Sequence, residues 1–463
     1  MASGGGKSVW MAELEETLSE ADASEEVSRR HYIYRVPTCI KDVNPKAYQP
    51  QVVSLGPFHY GDKQLQPMEK HKRRALRHFV RRANKPLQEF AAAVEEVMEE
   101  LHSAYLDLDA GWRDVDGRGK FLAMMIVDGC FLLEVMRAAG HGGKNHGDYS
   151  PTDSIFSPHG VLHAVPYIRR DMLMLENQLP LLLLAKLVAV ETSRPMSNIM
   201  YSRAWVTDAT QNHDAINRMV VRFLSPTYHL PPPGVGLGLH PVDVFRRSML
   251  YDPYQMPKDT HAEPESDMNV ILSAVQLYEA GIQFKPSSTD SLHDIRFRRG
   301  VLSMPAVFVD DSTEYMLLNM MAFERLHVGA GNDVTAFVFF MYNLVDSAKD
   351  VALLSSKGII QNSMGSDKEV AKLFNSISKD VVLEPESALN TVHRQLNTHV
   401  RKPWNMWRAN ITHTYFRKPT SFINFIAASA ALVVTIIQTI YTIVPFYRQQ
   451  NQGRSTTMAP API

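Results

Sequence analysis

Cysteine is scarce in this chain, and neither sign of charge dominates it. Two cysteines, Cys39 and Cys130, occur in 463 residues, which is too few for a disulfide framework or a cysteine-based zinc site. The 48 basic and 49 acidic residues give a formal net charge of −1, so the basic excess of a typical nucleic-acid-binding protein is missing. Apolar residues make up 45% of the chain, as in ordinary globular proteins. We therefore expect a folded protein without a nucleic-acid partner.

The usual patterns of catalytic and cofactor-binding residues are also missing. The 18 histidines form no His-Glu-x-x-His pair, and no Gly-x-Ser-x-Gly elbow occurs. The glycine-rich run at 234–238 follows three prolines rather than a strand, so it does not predict a dinucleotide site. The sequence thus predicts no catalytic residue, no metal ligand and no cofactor, and it favours a protein that is not an enzyme.

One long uncharged stretch occurs near the C-terminus. No residue in 419–447 is charged, and the apolar centre, 422–444, would span about 34 Å as a helix with ~1.5 Å rise per residue. Because a hydrocarbon core is about 30 Å thick, this stretch predicts a transmembrane helix over 421–446 rather than a buried core helix. Gln438 is a costly residue in lipid, so we expect it to contact a partner helix and to support homo-oligomers formed through the span.

The flanking charges predict the orientation of this helix. Five basic residues precede it and two follow it, so the positive-inside rule places the preceding domain in the cytosol. The first residues of the chain become acidic before any apolar core forms, which is unlike a signal peptide. We expect a single-pass protein of the plasma membrane, with the lipid bilayer as one partner and an unknown protein as another.

Helical patterns dominate the remaining sequence. We predict a mainly α-helical globular domain with a minor β element at 295–311, where β-branched and aromatic residues are punctuated by Gly300 and Pro305. A proline- and glycine-rich loop at 224–241 is the best candidate for an internal boundary. The predicted divisions are a flexible lead (1–29), the helical domain (30–410), a basic juxtamembrane collar (411–420), the transmembrane helix (421–446) and a short tail (447–463).

The most basic segment lies in a helix predicted over 68–82. It could form a surface that binds anionic lipid, phosphate or nucleic acid. Alternatively, it could be a solvated face that pairs with the acidic helix predicted after Pro86; we favour this interpretation because the two charges nearly cancel. The basic residues are Lys70, Lys72, Arg73, Arg74, Arg77, Arg81 and Arg82.

Three consecutive polar residues, Glu176, Asn177 and Gln178, interrupt a leucine-rich helical region predicted over 171–190. We call them the polar step. Polar side chains buried among leucines need hydrogen-bond partners. One interpretation is a catalytic carboxylate with a perturbed pKa at Glu176. The other, which we favour, is a structural hydrogen-bond network that fixes helix packing. Its members would be Glu176, Asn177, Gln178 and a preceding arginine, Arg169 or Arg170.

Several sequence blocks resemble, in the same order, those of one plant family. SLGPFHYG at 54–61 and LQPMEKHKRRAL at 65–76 are similar to its opening signature, and IRRDMLMLENQLP at 168–180 resembles its central motif. IRFRRGVLSMPAVFVDDSTEYMLLNMMAFE at 295–324 resembles its longest block, and WRANITHTYF followed by IAASAALVVTIIQTIYTI resembles its juxtamembrane and membrane segments. On these motifs the chain is identified as a member of the family called domain of unknown function 247.

The resemblance implies a plant protein with one C-terminal membrane span and no assigned biochemical activity. Some grass members are associated with pollen–stigma self-incompatibility, so the resemblance also implies a role in cell–cell recognition. Family-level predictions often place the large domain outside the cell, whereas the charge rule places it in the cytosol, and both orientations stay open. The alternative function is an enzyme of an unlisted type that uses a buried carboxylate near Glu176.

Overall fold

A computed structural model gives the fold of the chain. It describes residues 31–42, 44–140, 149–192, 209–225, 234–251, 272–378, 388–411 and 419–453. The predicted flexible lead (1–29), most of the basic collar and the end of the tail lie outside these residues. Within them, eighteen α-helices and five short strands confirm the predicted mainly α-helical fold with a minor β element.

The first half of the domain is built around one long central helix, α5, which begins at Val115 and ends at Gly140. Helices α2, α3, α8 and α9 pack against it, so apolar side chains are buried on most of its circumference. The helices of this half are α1 (Thr38–Lys41), α2 (Gln66–Ala83), α3 (Leu87–Glu95), α4 (Met98–Ser103), α5 (Val115–Gly140), α6 (Pro158–His163), α7 (Val165–Met172), α8 (Leu181–Thr192) and α9 (Ala209–Leu224).

The second half continues the same apolar core. Helix α10 packs against α9 on one side and against α12 and α13 on the other, so the core extends across the loop at 224–241. Part of that loop, 226–233, lies outside the described residues. The helices of this half are α10 (Pro241–Leu250), α11 (Ala274–Glu279), α12 (Thr313–Leu326), α13 (Asp333–Leu344), α14 (Ala348–Ser356), α15 (Asp367–Ile377), α16 (Ala388–Val400), α17 (Pro403–Ile411) and α18 (Pro419–Gly453).

Five short strands form two small sheets. In the first sheet β3 lies between β1, which is parallel to it, and β2, which is antiparallel. Arg299 and Gly300 form the two-residue turn between β2 and β3, and both have positive φ (51° and 80°), as a tight hairpin turn requires. In the second sheet β4 pairs in parallel with β5. The strands are β1 (Gln283–Pro286), β2 (Arg296–Arg298), β3 (Val301–Met304), β4 (Val307–Val309) and β5 (Ile360–Asn362).

Two predicted helical regions are divided in the structure. The leucine-rich region over 171–190 is not continuous, because α7 ends at Met172 and α8 begins only at Leu181. The segment between them, 173–180, is irregular and contains the polar step. Pro180 immediately precedes α8, where its missing N–H costs nothing. The predicted acidic helix is likewise two helices, α3 and α4.

The C-terminal helix α18 differs from all the others in its surroundings. Over Ile426–Val444 its mean hydropathy is 1.9, and none of that stretch is buried against the rest of the protein. It is the one described helix that is long and apolar enough to cross a membrane, which is compatible with a membrane anchor. The helix continues through Pro445 to Gly453, although the sequence predicted its end near that proline.

Candidate functional site

The N-terminal segment, residues 31–62, crosses the first half of the domain with little regular structure. Apart from the short helix α1 and one 3₁₀ turn, Pro45–Tyr48, its backbone is irregular, yet many of its residues are buried. Buried backbone amides need hydrogen-bond partners, and strands or long helices are not there to supply them. Side chains from the family's central motif and from α5 supply them instead. We call these side chains the polar network: Lys72, Asp128, Asp171, Glu176, Asn177, Gln178 and Asn319.

Asp171, in the last turn of α7, binds three consecutive amides of the N-terminal segment. Its carboxylate accepts hydrogen bonds from the backbone N–H groups of Gln51 (3.0 Å), Val52 (2.6 Å) and Val53 (2.9 Å). Burial raises the pKa of this carboxyl group, although the three amides act in the opposite direction. The carboxylate therefore holds the chain at 51–53 in place of a neighbouring strand.

Asn177 and Gln178 bind both the N-terminal segment and their own loop. The Asn177 amide accepts from the N–H of Leu55 (2.7 Å) and donates to the carbonyl of Val53 (3.0 Å), which reproduces the pairing of a strand edge. The Gln178 amide donates to the carbonyl of Met172 (2.7 Å) and accepts from the N–H of Val242 (3.1 Å), the second residue of α10. These two amides join the irregular segment to both halves of the domain.

Glu176 is almost completely buried, at 3% exposure, and every contact it makes is to the N-terminal segment. Its carboxylate accepts from the N–H of Val36 (2.6 Å), pairs with the ammonium of Lys41 (2.7 Å) and lies 3.6 Å from Nε2 of His59. Burial by itself would raise the pKa of Glu176, but His59, Lys41 and the Val36 amide hold it below its usual value. This arrangement stabilises the ionised form of Glu176, whose carboxylate oxygens already interact with Val36, Lys41 and His59.

A buried lysine–aspartate pair completes the network. The Lys72 ammonium lies 2.8 Å from Asp128 and 2.7 Å from Glu69, and it donates to the Ser54 hydroxyl (3.0 Å). Burial alone would lower the pKa of Lys72, but the two carboxylates raise it above its usual value. Asp128 also accepts from the N–H of Gly56 (3.0 Å), so the pair binds two residues of the SLGPFHYG motif.

Gly56 explains why the motif contains a glycine at this place. Its φ is +78°, which favours glycine, and a Cβ there would lie 2.8 Å from both the Gln178 carbonyl and the Tyr105 hydroxyl. The Tyr105 hydroxyl itself donates to that same carbonyl (2.9 Å). The backbone of the first motif and that of the central motif are therefore in direct contact.

Four members of the network were not predicted as such from the sequence: Lys72, which was assigned to the basic segment, and three residues that were not singled out. Asp128 lies within the long apolar helix α5, Asp171 precedes the polar step, and Asn319 lies in α12. Asn319 accepts from the N–H of Leu175 (2.8 Å) and donates to the carbonyl of Ala47 (2.8 Å). A single carboxylate in an apolar run such as MMIVDGCFLL is the signal that could have indicated Asp128, because such a group needs a buried partner.

Arg169 does not join the network in the structure. Its guanidinium lies over the ring of Phe223, 5.2 Å from the ring centroid, and burial lowers its pKa. Its Nε atom has no hydrogen-bond partner among the described residues. Arg170 lies over the ring of Tyr315, 4.5 Å from its centroid. The two arginines thus contribute to packing on aromatic rings, away from Glu176.

The seven basic residues of α2 divide into two groups. Lys72 is buried, Arg74 pairs with Asp153 (2.8 Å), and Arg82 pairs with Glu134. The other four are exposed on one face of the helix at spacings of three and four residues, and we call them the basic stripe. They are Lys70, Arg73, Arg77 and Arg81.

The acidic helices do not neutralise the basic stripe. In the described part of the chain, Glu96 pairs with Lys186 (2.6 Å) and Glu99 pairs with Arg118 (2.9 Å). Among the described residues, no ion pair joins α3 or α4 to the stripe. The summed charges of the basic and acidic segments nearly cancel, but the charged side chains themselves are not paired across the two segments. The basic stripe faces solvent.

Gln438 lies on the exposed apolar stretch of α18. Three hydroxyls near it bond back to the carbonyl four residues earlier: Thr435 to Ala431 (2.8 Å), Thr439 to Thr435 (2.7 Å) and Thr442 to Gln438 (2.7 Å). Such bonds satisfy hydroxyl groups inside one helix. An amide side chain has two donors and one acceptor, so it keeps capacity for a bond to a second helix.

One cavity of the domain, about 290 Å³, is lined by Asn217, Val244, Arg246, Tyr251 and neighbouring residues, none of which belongs to the polar network. Among the residues that the structure describes, no three His, Cys, Asp or Glu side chains are grouped to hold a metal ion. Chemically, the network can bind and orient backbone, and its charged groups are partnered by one another and by amides rather than by solvent.

Comparison with known proteins agrees with this architecture. The model of a family described as plant protein of unknown function, domain of unknown function 247, matches residues 33–434. UPF0481 protein At3g47200 of Arabidopsis thaliana is 30% identical over 455 residues, covering 93% of this chain and 90% of its own length. UPF0481 protein At3g02645 of the same plant is 22% identical over 510 residues, covering 92% of each chain. No solved structure matches the chain. The chain therefore belongs to the plant family of domain of unknown function 247.

Proposed function

We propose that this protein is a membrane-anchored, non-enzymatic interaction protein that serves in cell–cell recognition in plants. The observation that carries the proposal is helix α18, whose stretch Ile426–Val444 is apolar, unburied and long enough to span a bilayer. An apolar helix of this length that packs on nothing in its own protein needs another apolar environment. A lipid bilayer provides one.

The polar network supports a non-enzymatic role. A catalytic carboxylate must reach a substrate, but Glu176 is buried and engaged by Val36, Lys41 and His59. The cavity of about 290 Å³ beside α10 is lined by other residues. The buried carboxylates Asp128, Asp171 and Glu176 therefore have a structural role: they hold the N-terminal segment in place. A rigid domain of this kind is suited to presenting a fixed surface to a protein partner.

The recognition role follows from the family resemblance, and the partner is an unidentified protein. The basic residues that precede α18 favour a cytosolic domain at the plasma membrane. Recognition between cells by direct contact requires the opposite orientation, with the domain outside. The orientation therefore decides between recognition at the cell surface and an interaction on the cytosolic side.

Alkaline carbonate extraction of membranes from cells that express the full chain tests the anchor. We expect the wild-type chain to stay in the membrane pellet, and the double variant Val434→Asp/Ile436→Asp to move to the soluble fraction. Each aspartate at the centre of a span costs roughly 2.5–3.5 kcal/mol of insertion free energy. Val328→Asp is the matched control, because Val328 is 97% exposed on the domain and is not in α18. A wild-type chain that carbonate releases would contradict the anchor.

Protease treatment of sealed, right-side-out vesicles then determines orientation. Digestion of the domain shows that it lies outside, as direct recognition between cells requires. Protection of the domain shows that it is cytosolic, as the flanking charges predict.

A further inference from the structure

Helix α17, which directly precedes the membrane helix, carries an unusual pair of exposed aromatic rings. Trp404 is 71% exposed and Trp407 is 57% exposed, and their ring centroids lie 5.3 Å apart on neighbouring turns of the helix. Met406 beside them is 47% exposed. Large apolar side chains grouped on a surface in this way indicate a contact with something that the isolated domain does not provide.

Helix α17 is joined to the rest of the domain by a few contacts. The Asn405 amide donates to the carbonyl of His399 (2.7 Å), and the Arg408 guanidinium lies against Gly281, where a Cβ would be 2.9 Å from its nitrogen. Helix α11 also packs against α17. These contacts join α17 to the domain and leave both tryptophans exposed.

A basic hairpin lies against the last turn of α16, the helix before α17. The ring of Phe297 in β2 contacts the ring of His399 at 5.2 Å between centroids, and Gly300 also lies against His399. Arg298 and Arg299, at the end of β2 and in its turn, are exposed. Arg296, in contrast, pairs with Asp294 (2.9 Å). The hairpin that carries these exposed arginines thus packs against His399, four residues before α17 begins.

Two further basic residues belong to the same region. Arg401 and Lys402, which connect α16 to α17, are exposed, and the stretch 401–408 contains no acidic residue. Basic and tryptophan side chains together are the composition of a surface that contacts lipid headgroups. We call this region the interfacial face; its members are Arg298, Arg299, Arg401, Lys402, Trp404 and Trp407.

The length of the chain between α17 and α18 determines how far this face can be from the bilayer. Ile411 ends α17 and Pro419 begins α18, so eight residue steps join them. Even fully extended, these steps reach roughly 26–29 Å. The interfacial face is therefore tethered to the point where α18 enters the uncharged stretch. A second protein would have to bind the interfacial face within this distance of the membrane, whereas lipid headgroups are already present at the membrane surface.

We propose that the interfacial face binds the headgroup region of the bilayer that holds α18, with the two tryptophan rings in the interface and the basic side chains on anionic lipid phosphates. This inference rests on the membrane anchor proposed above. Its consequence is a domain held in one orientation on the membrane surface, at three places: α18, the tryptophan pair and the basic hairpin. The basic stripe on α2 belongs to a different element and is not part of this face.

The test uses the full chain reconstituted into nanodiscs of phosphatidylcholine with 30% phosphatidylserine, with and without bromine on the lipid acyl chains near the headgroup. Brominated lipid quenches tryptophan that enters the interface. The chain has five tryptophans. We expect the quenched fraction to fall to near half or less in Trp404→Phe/Trp407→Phe. Trp112→Phe is the matched control: Trp112 packs against Phe121 at 5.9 Å between ring centroids, and its replacement should not lower the quenched fraction.

The electrostatic part has its own variants. In Arg298→Glu/Arg299→Glu the quenching of the tryptophan pair should fall to the level found in discs without phosphatidylserine, because anionic headgroups would then repel the hairpin. Arg73→Glu/Arg77→Glu, an equal charge reversal on the basic stripe, is the control and should keep wild-type quenching. If phosphatidylserine has no effect on any variant, the basic hairpin does not bind lipid and that half of the proposal is wrong.

The outcomes separate this inference from the anchor. A chain that resists carbonate extraction and shows no bromine quenching at Trp404 and Trp407 overturns the interfacial face and leaves the anchor intact. A chain that carbonate extracts overturns both. A chain that is anchored, and whose quenching falls in Trp404→Phe/Trp407→Phe but not in Trp112→Phe, supports both.

Discussion

Replacing Asp171 by alanine should detach the N-terminal segment from the domain. The substitution removes the acceptor of three backbone N–H groups, those of Gln51, Val52 and Val53, at 2.6–3.0 Å. Nothing else in the described structure is positioned to accept from them, because the segment has no neighbouring strand there. The three amides would have to remain unpaired or open to water.

The expected magnitude follows from the number of amides. A buried polar group left without a partner costs about 1–3 kcal/mol, so three such groups cost roughly 3–9 kcal/mol. Water that enters the space left by the carboxylate would recover part of this, so we expect a loss of about 3–6 kcal/mol in the free energy of unfolding. Domains are typically stable by only about 5–15 kcal/mol. The variant should therefore lose local order at 51–53 even under native conditions.

Amide hydrogen exchange of the full chain in detergent micelles measures this directly. We expect peptides that cover 48–56 to exchange faster by roughly two orders of magnitude or more in Asp171→Ala, since about 1.4 kcal/mol corresponds to a factor of ten. Asp171→Asn keeps the shape and one acceptor oxygen, and should lie between the wild type and alanine. Asp109→Ala is the control, because the exposed Asp109 side chain accepts from a single backbone amide, that of Gly111.

Two results would refute this reasoning. If 48–56 keeps wild-type protection in Asp171→Ala, the segment is held by its apolar contacts and the carboxylate is dispensable. If Asp109→Ala and Asp171→Ala shift the urea midpoint equally, burial and the number of amides do not determine the cost.

Three more predictions concern other polar groups. Lys72→Met leaves Asp128 buried without its cation, so the free energy of unfolding should fall by about 3–5 kcal/mol; an unchanged urea midpoint would contradict this. The pKa of Glu176 is lower in the folded state than its ordinary value of 4.5, so its contribution to stability is present above pH 4.5 and is lost as the pH falls through the folded pKa. Glu176→Gln should therefore flatten the pH dependence of the melting temperature in that acidic window and leave the pH dependence at higher pH unchanged. Gln438→Leu should weaken self-association of the full chain in bilayers, measured by energy transfer between labelled copies, and unchanged transfer would exclude a contact through this amide.

The helical content and the C-terminal helix could be predicted because they depend on local patterns. The stripe Ala75, Phe79 and its neighbours indicated α2, and the uncharged stretch indicated α18. The β2–β3 hairpin was also accessible, since Arg299 and Gly300 form a local turn. Strands β1 and β5 were not, because each has three or four residues and pairs with a strand that is distant in sequence. Pairing of that kind has no local pattern.

The polar network could be predicted only in part, for a related reason. The polar step at Glu176, Asn177 and Gln178 stands out because it interrupts leucines. Many of its partners, however, are backbone groups of 36–55, and the sequence does not show which backbone groups lie near a side chain. The sequence alone therefore could not indicate that these side chains bind an irregular segment. Arg169 was grouped with them by proximity along the chain, but in the structure it lies on Phe223.

The N-terminal segment has a consequence for synthesis on the ribosome. Its bonds to Asp171, Glu176 and Asn177 join residues 118 to 140 positions apart, and the segment is made first. At about 5–20 residues per second, its apolar side chains and amides would wait roughly 6–28 s before their partners emerge. During that interval the nascent chain exposes an apolar segment whose backbone amides have no protein partner. We therefore expect early binding by chaperones at 31–62, and an order of folding in which the first residues translated are among the last of the domain to be fixed.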